Sequence, residues 1–253
     1  MSEGAANRDV RAAVFRPDDG RLADAVELLA SLGADPVADP MLAVEPTGAT
    51  PRTDADYAVI TSTTGAALVS EAGWDPGDAT LCAIGATTAD ALREAGYAVD
   101  VVPAEYSSSG LVAALSDRVD GARVEVARSD HGSAVLLDGL EAAGAYVHET
   151  VLYELVRPEG AGESAELAAA GALDAALFTS SLTVEHFLEA AAARGIRGAA
   201  VAGLQDAVVG AIGEPTAGTA ADAGIAVDVV PEEADFDVLA AAVVEAAAPT
   251  YHE

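Results

Sequence analysis

There is no lysine in this chain of 253 residues; all twelve of its basic residues are arginine. Schiff-base catalysis, which needs a lysine amine, is thereby excluded, and so is a P-loop, whose lysine reaches the nucleotide phosphates. A single cysteine, Cys82, leaves no partner for an intrachain disulfide and too few ligands for a multi-cysteine zinc site. Aromatic residues make up only 4% of the chain, so the core must be built from Ala, Val and Leu. No apolar run approaches the ~20 residues that span a bilayer, and the opening MSEGAANRDVRAAV lacks the basic segment and apolar stretch of a secretory signal. A cytoplasmic protein without membrane contact is expected. GxGxxG, GxSxG and HExxH are absent. The four histidines, His131, His148, His186 and His252, show no metal spacing and read as surface or packing residues.

What the chain has in excess is negative charge. Asp and Glu number 42, giving a formal net charge of −30. The acids are spread along the whole sequence, which rules out an acidic tail. An acidic interaction surface is one reading. The preferred one is adaptation to a high-salt cytoplasm, because screening lengths fall to about 3 Å at 1 M salt and self-repulsion becomes tolerable there. No basic stripe exists, so no nucleic-acid partner is expected.

The chain also repeats itself. DYAVITSTTGAALV from Asp56 resembles DAALFTSSLTVEHFL from Asp174, and AIGATTADALREAGYAVDVVP from Ala83 aligns without a gap on AIGEPTAGTAADAGIAVDVVP from Ala211. A looser pair starts at Arg11 and Ala122, each with an apolar run ending in Arg (Arg16, Arg128) before a helical stretch. Strand-like runs are VRAAVFR, YAVITS, TLCAIG, AVDVV, ARVEVAR, AALFTS, AVVGAIG and a second AVDVV. They are short and continuously apolar, as strands buried on both faces should be. Segments with helical spacing lie between them, several stopped by Gly. Strands alternating with helices imply an α/β fold with parallel sheets, and two such sets imply two similar domains. Residues 36–46 and 148–158 are extended, end at a proline and stand outside the repeated units, which suits inter-domain connectors. A tandem duplication would divide the chain near residue 120; a crossing arrangement would place the first unit with the last two.

Ligands of parallel α/β sheets bind beyond the carboxyl ends of the strands. The repeats put Thr61 and Ser62, Thr179 and Ser180, Gly85 to Thr88, and Gly213 to Thr216 at those ends. Backbone N–H groups at a Gly turn, a helix N-terminus and neighbouring hydroxyls can together hold a carboxylate. The same Thr and Ser can equally serve as helix N-caps. Arg16 and Arg128 are either ion-pair partners or scarce positive charges at an anion site, and Tyr153 on the second extended segment is either packing or chemistry. Cys82, within a strand, reads as core.

Together these features resemble uroporphyrinogen-III synthases: Arg16-Pro17 after the first strand, the two Thr-Ser pairs, the two Gly-x-x-Thr-Ala turns (Gly85 to Ala89, Gly213 to Ala217) and the Val-Leu-Tyr-Glu segment around Tyr153, in the family's order over nearly the whole chain. The resemblance implies one discontinuous domain of residues 1–36 and 158–253, an inserted domain of residues 47–148, and connector strands 37–46 and 149–157 that pair, with the active site in a cleft between the domains. It implies conversion of hydroxymethylbilane to uroporphyrinogen III in tetrapyrrole (haem, sirohaem, cobalamin) biosynthesis, with loss of water, inversion of the last pyrrole ring and no cofactor. Tyr153 would be the catalytic residue. Arg16, Ser62, Gly85, Thr88, Arg128, Thr179, Ser180, Gly213 and Thr216 would bind substrate. Pro215 departs from the family, where a second threonine is common. A monomer is expected, with transient hand-over of substrate from the preceding pathway enzyme allowed. Two rival readings are a non-catalytic paralogue that binds or senses a tetrapyrrole, against which Tyr153, Thr88 and Thr216 speak, and a nucleotide-dependent α/β enzyme, for which the Gly motifs are wrong.

Overall fold

The computed structural model describes residues 10–17 and 20–248. In chain order the elements are β1 (Val10–Phe15), α1 (Gly20–Ser31), β2 (Ala34–Ala38), β3 (Ala43–Pro46), β4 (Tyr57–Ile60), α2 (Thr63–Glu71), β5 (Thr80–Ala83), α3 (Ala86–Glu94), α4 (Ser108–Leu115), β6 (Arg123–Ser129), α5 (Ala134–Ala142), β7 (Tyr146–Val156), α6 (Glu163–Ala169), β8 (Ala175–Phe178), α7 (Ser181–Ala193), α8 (Arg197–Leu204), β9 (Val208–Ala211), α9 (Glu214–Asp222) and α10 (Phe236–Ala247). They form two compact α/β units. The discontinuous one comprises the chain up to Ala43 together with the chain from Val156, and the inserted one is Val44–Leu155.

The discontinuous unit has a four-stranded sheet in the order β2-β1-β8-β9, all parallel. Alternate residues of its strands face opposite cores, as the two-residue period of a strand requires. Ala13, Phe15, Ala176 and Phe178 face α6, α7 and α8; Ala12, Val14, Ala175 and Leu177 face α1 and α10. Phe15, Phe178 and Phe187 form the aromatic centre of the first face, with the two strand rings stacked at 4.6 Å. Ala and Val fill most of the remaining space. The inserted unit has a five-stranded sheet in the order β3-β7-β6-β4-β5, in which β7, β6, β4 and β5 are parallel. Its α2 and α3 cover the face of Ala58, Ile60 and Ala127, and α4 and α5 cover that of Val59 and Val126.

The sequence repeats have a structural cause. Asp56 and Asp174 each accept a hydrogen bond from a backbone N–H near the start of the neighbouring strand, Arg123 N at 2.8 Å and Arg11 N at 2.9 Å. Asp100 and Asp228, the acids of the two Val-Asp-Val-Val-Pro runs, accept from Leu81 N and Val209 N, both at 2.8 Å. Those runs read as strands in sequence but are not: each makes one isolated bridge, Cys82 to Val101 and Gly210 to Val229. The Asp side chain takes a ladder N–H that a strand backbone would have used, and a proline ends the run soon after. Hydrogen bonding from the Arg123 backbone holds the Asp56 carboxyl below its ordinary value despite opposing desolvation. Its contribution to stability is therefore present above the ordinary carboxylate range and is lost as the pH falls through the lowered value.

Both extended segments turn out to be sheet members as well. Ala34–Ala38 pairs with β1. The first half of β7 pairs with β6, and β3 lies along its outer edge. At the end of β2, buried Asp39 accepts hydrogen bonds from Gly162 N (2.9 Å), Ser164 N (2.8 Å) and the Ser164 hydroxyl, so it closes the start of α6. Replacing Asp39 by Ala leaves these buried donors unpaired and is expected to cost about 2 kcal/mol; urea unfolding in molar KCl measures it. Cys82 is fully buried in β5, and burial pushes its thiol up to about 12. Alkylation by iodoacetamide should therefore require unfolding, and rapid labelling of the native protein would contradict this.

Candidate functional site

The carboxyl ends of β4, β5, β6 and β7 gather a hydroxyl-rich pocket of about 160 Å³, lined by Thr61, Ser62, Ile84, Ser108, Arg128, Ser129, Gly132, Ser133, Leu136 and Tyr153. Four residues singled out from sequence, Thr61, Ser62, Arg128 and Tyr153, meet in it. Tyr153 arrives there because β7 slips register. Arg128 pairs with Val151, yet the next residue, Ser129, pairs with Tyr153. In a regular strand Leu152 and Tyr153 would face opposite sides. The irregularity lets both join the core beneath α2 and α3, and it re-aims the phenol. Tyr153 is only 6% exposed, and its hydroxyl donates to Ser62 Oγ at 3.0 Å. Ser62 Oγ also accepts from Gly65 N at 2.9 Å, so it caps α2 and holds the tyrosine at once.

Arg128 is buried, donating through Nε to Glu149 (2.6 Å) and through one terminal nitrogen to the Ser133 carbonyl (2.6 Å). Gly132 leaves room for this placement: a Cβ there would stand 2.4 Å from Arg128 Cδ, and the arginine would have to shift. The guanidinium is thus fixed at the pocket wall with its charge partly offset.

Gly85 and Thr88 lie beside this pocket rather than among its lining residues. Gly85 is the N-cap of α3 in extended backbone, with φ −167°. Any residue could adopt that angle; what glycine provides is room, because a Cβ would stand 3.1 Å from the Cβ of the exposed Tyr106. Thr88 is buried in the first turn of α3. In the other unit Thr179 donates to the Phe15 carbonyl at 2.6 Å, and Ser180 forms a capping box with Thr183 on α7. Gly213 caps α9, where a Cβ would meet only Pro215 Cδ at 3.9 Å, and Thr216 is buried in that helix's first turn. The two glycine turns are not equal anion seats. Glu214 and Pro215 open α9, adding a negative charge and removing one N–H, whereas Ala86 and Thr87 open α3 with neither. Arg16 stacks over Phe236, with 4.3 Å from its guanidinium carbon to the ring centroid.

Comparison with known proteins decides the family. The model described as "Uroporphyrinogen-III synthase HemD" matches residues 23–241. The chain belongs to the uroporphyrinogen-III synthase family. A Methanothermobacter thermautotrophicus protein provisionally named uroporphyrinogen-III synthase is 33% identical over 198 residues, covering 72% of this chain and 78% of its own. The uroporphyrinogen-III synthase of Chlorobaculum parvum is 28% identical over 168 residues, 65% of either chain. Among solved structures, a mutant uroporphyrinogen III synthase of Thermus thermophilus shares the fold with a TM-score of 0.63 at 22% identity, over 91% of this chain and 95% of that one. The Helicobacter pylori uroporphyrinogen-III synthetase does so with 0.59 at 13% identity, over 90% and 97%. The family is one of lyase-type enzymes in tetrapyrrole biosynthesis, which accords with a small-molecule substrate. Among the described residues no helix is long and apolar enough to cross a membrane.

A larger cavity in this uroporphyrinogen-III synthase fold, about 490 Å³, lies at the opposite, amino ends of β4, β6 and β7. Glu125, 1% exposed, accepts there from His148 Nδ1 at 2.7 Å and from the Thr150 hydroxyl. The strand pairing of Glu125 with His148 explains that contact, and the sequence offered no sign of it. His186, read as surface or packing, is buried with Nδ1 against the Met41 carbonyl, and His131 pairs with Asp130 at 2.9 Å. His252 lies outside the described residues. The smaller pocket is the stronger candidate, since ligands of parallel sheets sit beyond the carboxyl ends.

Proposed function

We propose that this protein closes hydroxymethylbilane to uroporphyrinogen III, with inversion of the last pyrrole ring and loss of water, and without a cofactor. The observation that carries the reading is the Tyr153 hydroxyl, held by Ser62 at the wall of a hydroxyl-lined pocket in a chain of this family. About 160 Å³ is far below the ~300–1,000 Å³ of a pocket for a whole small molecule. It suits one substituent, such as the hydroxymethyl group that leaves. The substrate closes spontaneously to the wrong isomer, so the enzyme's task is to fold it, which is positioning work. Tyr153 assists departure of the hydroxyl as hydrogen-bond donor or acid. Arg16, Arg128, Thr88, Thr179, Ser180, Thr216 and the turns at Gly85 and Gly213 serve the substrate carboxylates, with the α3 end the better seat. The protein acts as a cytoplasmic monomer at high salt. The test is consumption of freshly made hydroxymethylbilane in molar KCl: loss proportional to protein and faster than spontaneous closure supports the reading, and loss at the protein-free rate refutes it.

A further inference from the structure

The geometry points to Ser62 as a positioning residue that sets the direction of the Tyr153 proton, an inference that rests on the proposed reaction. A hydroxyl has one proton to donate and two lone pairs to accept with. Ser62 Oγ spends one lone pair on Gly65 N at 2.9 Å, which fixes the oxygen in place as the α2 cap. The Tyr153 hydroxyl stands 3.0 Å away and, when it donates to Ser62, its proton is turned from the pocket. Rotation of the serine hydroxyl reverses the bond. Ser62 then donates to the tyrosine oxygen, and the phenol proton is free to enter the pocket. No heavy atom need move, since the cap holds Ser62 and the register slip at Ser129 and Tyr153 holds the ring.

In the reaction the substrate C–O bond breaks with its electron pair on oxygen. That oxygen takes the Tyr153 proton and departs as water. The phenolate is held by the Ser62 O–H, and it regains a proton from the one the substrate loses on ring closure, so the enzyme returns unchanged. A serine that only capped α2 would have no such coupling to Tyr153.

Five proteins test this in molar KCl: wild type, Ser62→Gly, Ser62→Thr, Tyr153→Phe and the variant that combines Ser62→Gly with Tyr153→Phe. Glycine is chosen because it caps a helix nearly as well as serine, so loss of fold and loss of the hydroxyl are separated. Ser62→Gly should lower kcat about tenfold in the wild-type background and less than about twofold in the Tyr153→Phe background, because residues acting through one another are non-additive. Ser62→Thr, which keeps the hydroxyl, should recover most of the lost rate. A readout free of turnover is the ring Cζ NMR resonance of Tyr153 in ¹³C-tyrosine-labelled protein, assigned by its loss in Tyr153→Phe: it should move in Ser62→Gly and return in Ser62→Thr. Equal rate losses in both backgrounds, or an unmoved resonance, overturn the inference while leaving the reaction standing. A wild-type protein without turnover would remove the proposed reaction and the role of Ser62 with it.

Discussion

Tyr153→Phe is expected to lower turnover by ~10²-fold, the usual scale of general acid–base catalysis, while type III remains the dominant enzymatic product. Two roles for the phenol give different magnitudes. As an acid it stabilises the departing hydroxyl, and its removal costs the full factor. As a positioning contact it would lose little, because Phe keeps the ring within the same core cluster beside Leu152. Spontaneous loss of the hydroxyl from the substrate favours a mild effect. The place of the phenol at the wall of the hydroxyl-lined pocket, 3.0 Å from Ser62, favours the larger one. Isomer choice depends on how the chain of pyrroles is folded, which the variant leaves to the rest of the site. The rate and isomer ratio should be measured on one sample whose folding has been checked. Wild-type values of both would make Tyr153 a packing residue.

The second large effect is that of salt. Between low and molar KCl the midpoint of thermal unfolding is expected to rise on the order of 10 °C or more, each kcal/mol of relieved repulsion being worth about 2–4 °C in a chain of this size. Salt acts on two opposed quantities. It weakens exposed ion pairs, such as Arg11–Asp35, Arg93–Asp90 and Arg123–Asp54, each at least two-fifths exposed on both sides. Such pairs are worth about 0–1 kcal/mol apiece. It also screens the mutual repulsion of a chain with 42 acids and 12 arginines, and with net charge −30 that repulsion outweighs the few pairs. Activity should follow the folded fraction. Equal midpoints in low and molar KCl would show that the acids are locally compensated.

Much of the fold was legible because its signals are local. Short, continuously apolar runs separated by helical spacing specify parallel strands with both faces covered, and the duplicated runs specify two such units. What stayed hidden depends on which strands lie side by side. Tyr153 and Ser62 are 91 positions apart, and their contact requires β7 beside β6, β6 beside β4, and a register slip between Arg128 and Ser129. Glu125 and His148 meet for the same kind of reason. The two Val-Asp-Val-Val-Pro runs misled because Val favours strands, whereas the side chains of Asp100 and Asp228 replace the pairing that a strand would make. Ser62 and Ser180 were visible at strand ends, but only the structure separates them: Ser180 is occupied by a capping box, while Ser62 caps a helix and also holds Tyr153.

The most direct test of the proposed function is isomer analysis of the oxidised products formed from freshly made hydroxymethylbilane in molar KCl. The type III isomer should dominate, in an amount that scales with protein, over the type I product of spontaneous closure. Type I alone, formed at the rate seen without protein, would contradict the account.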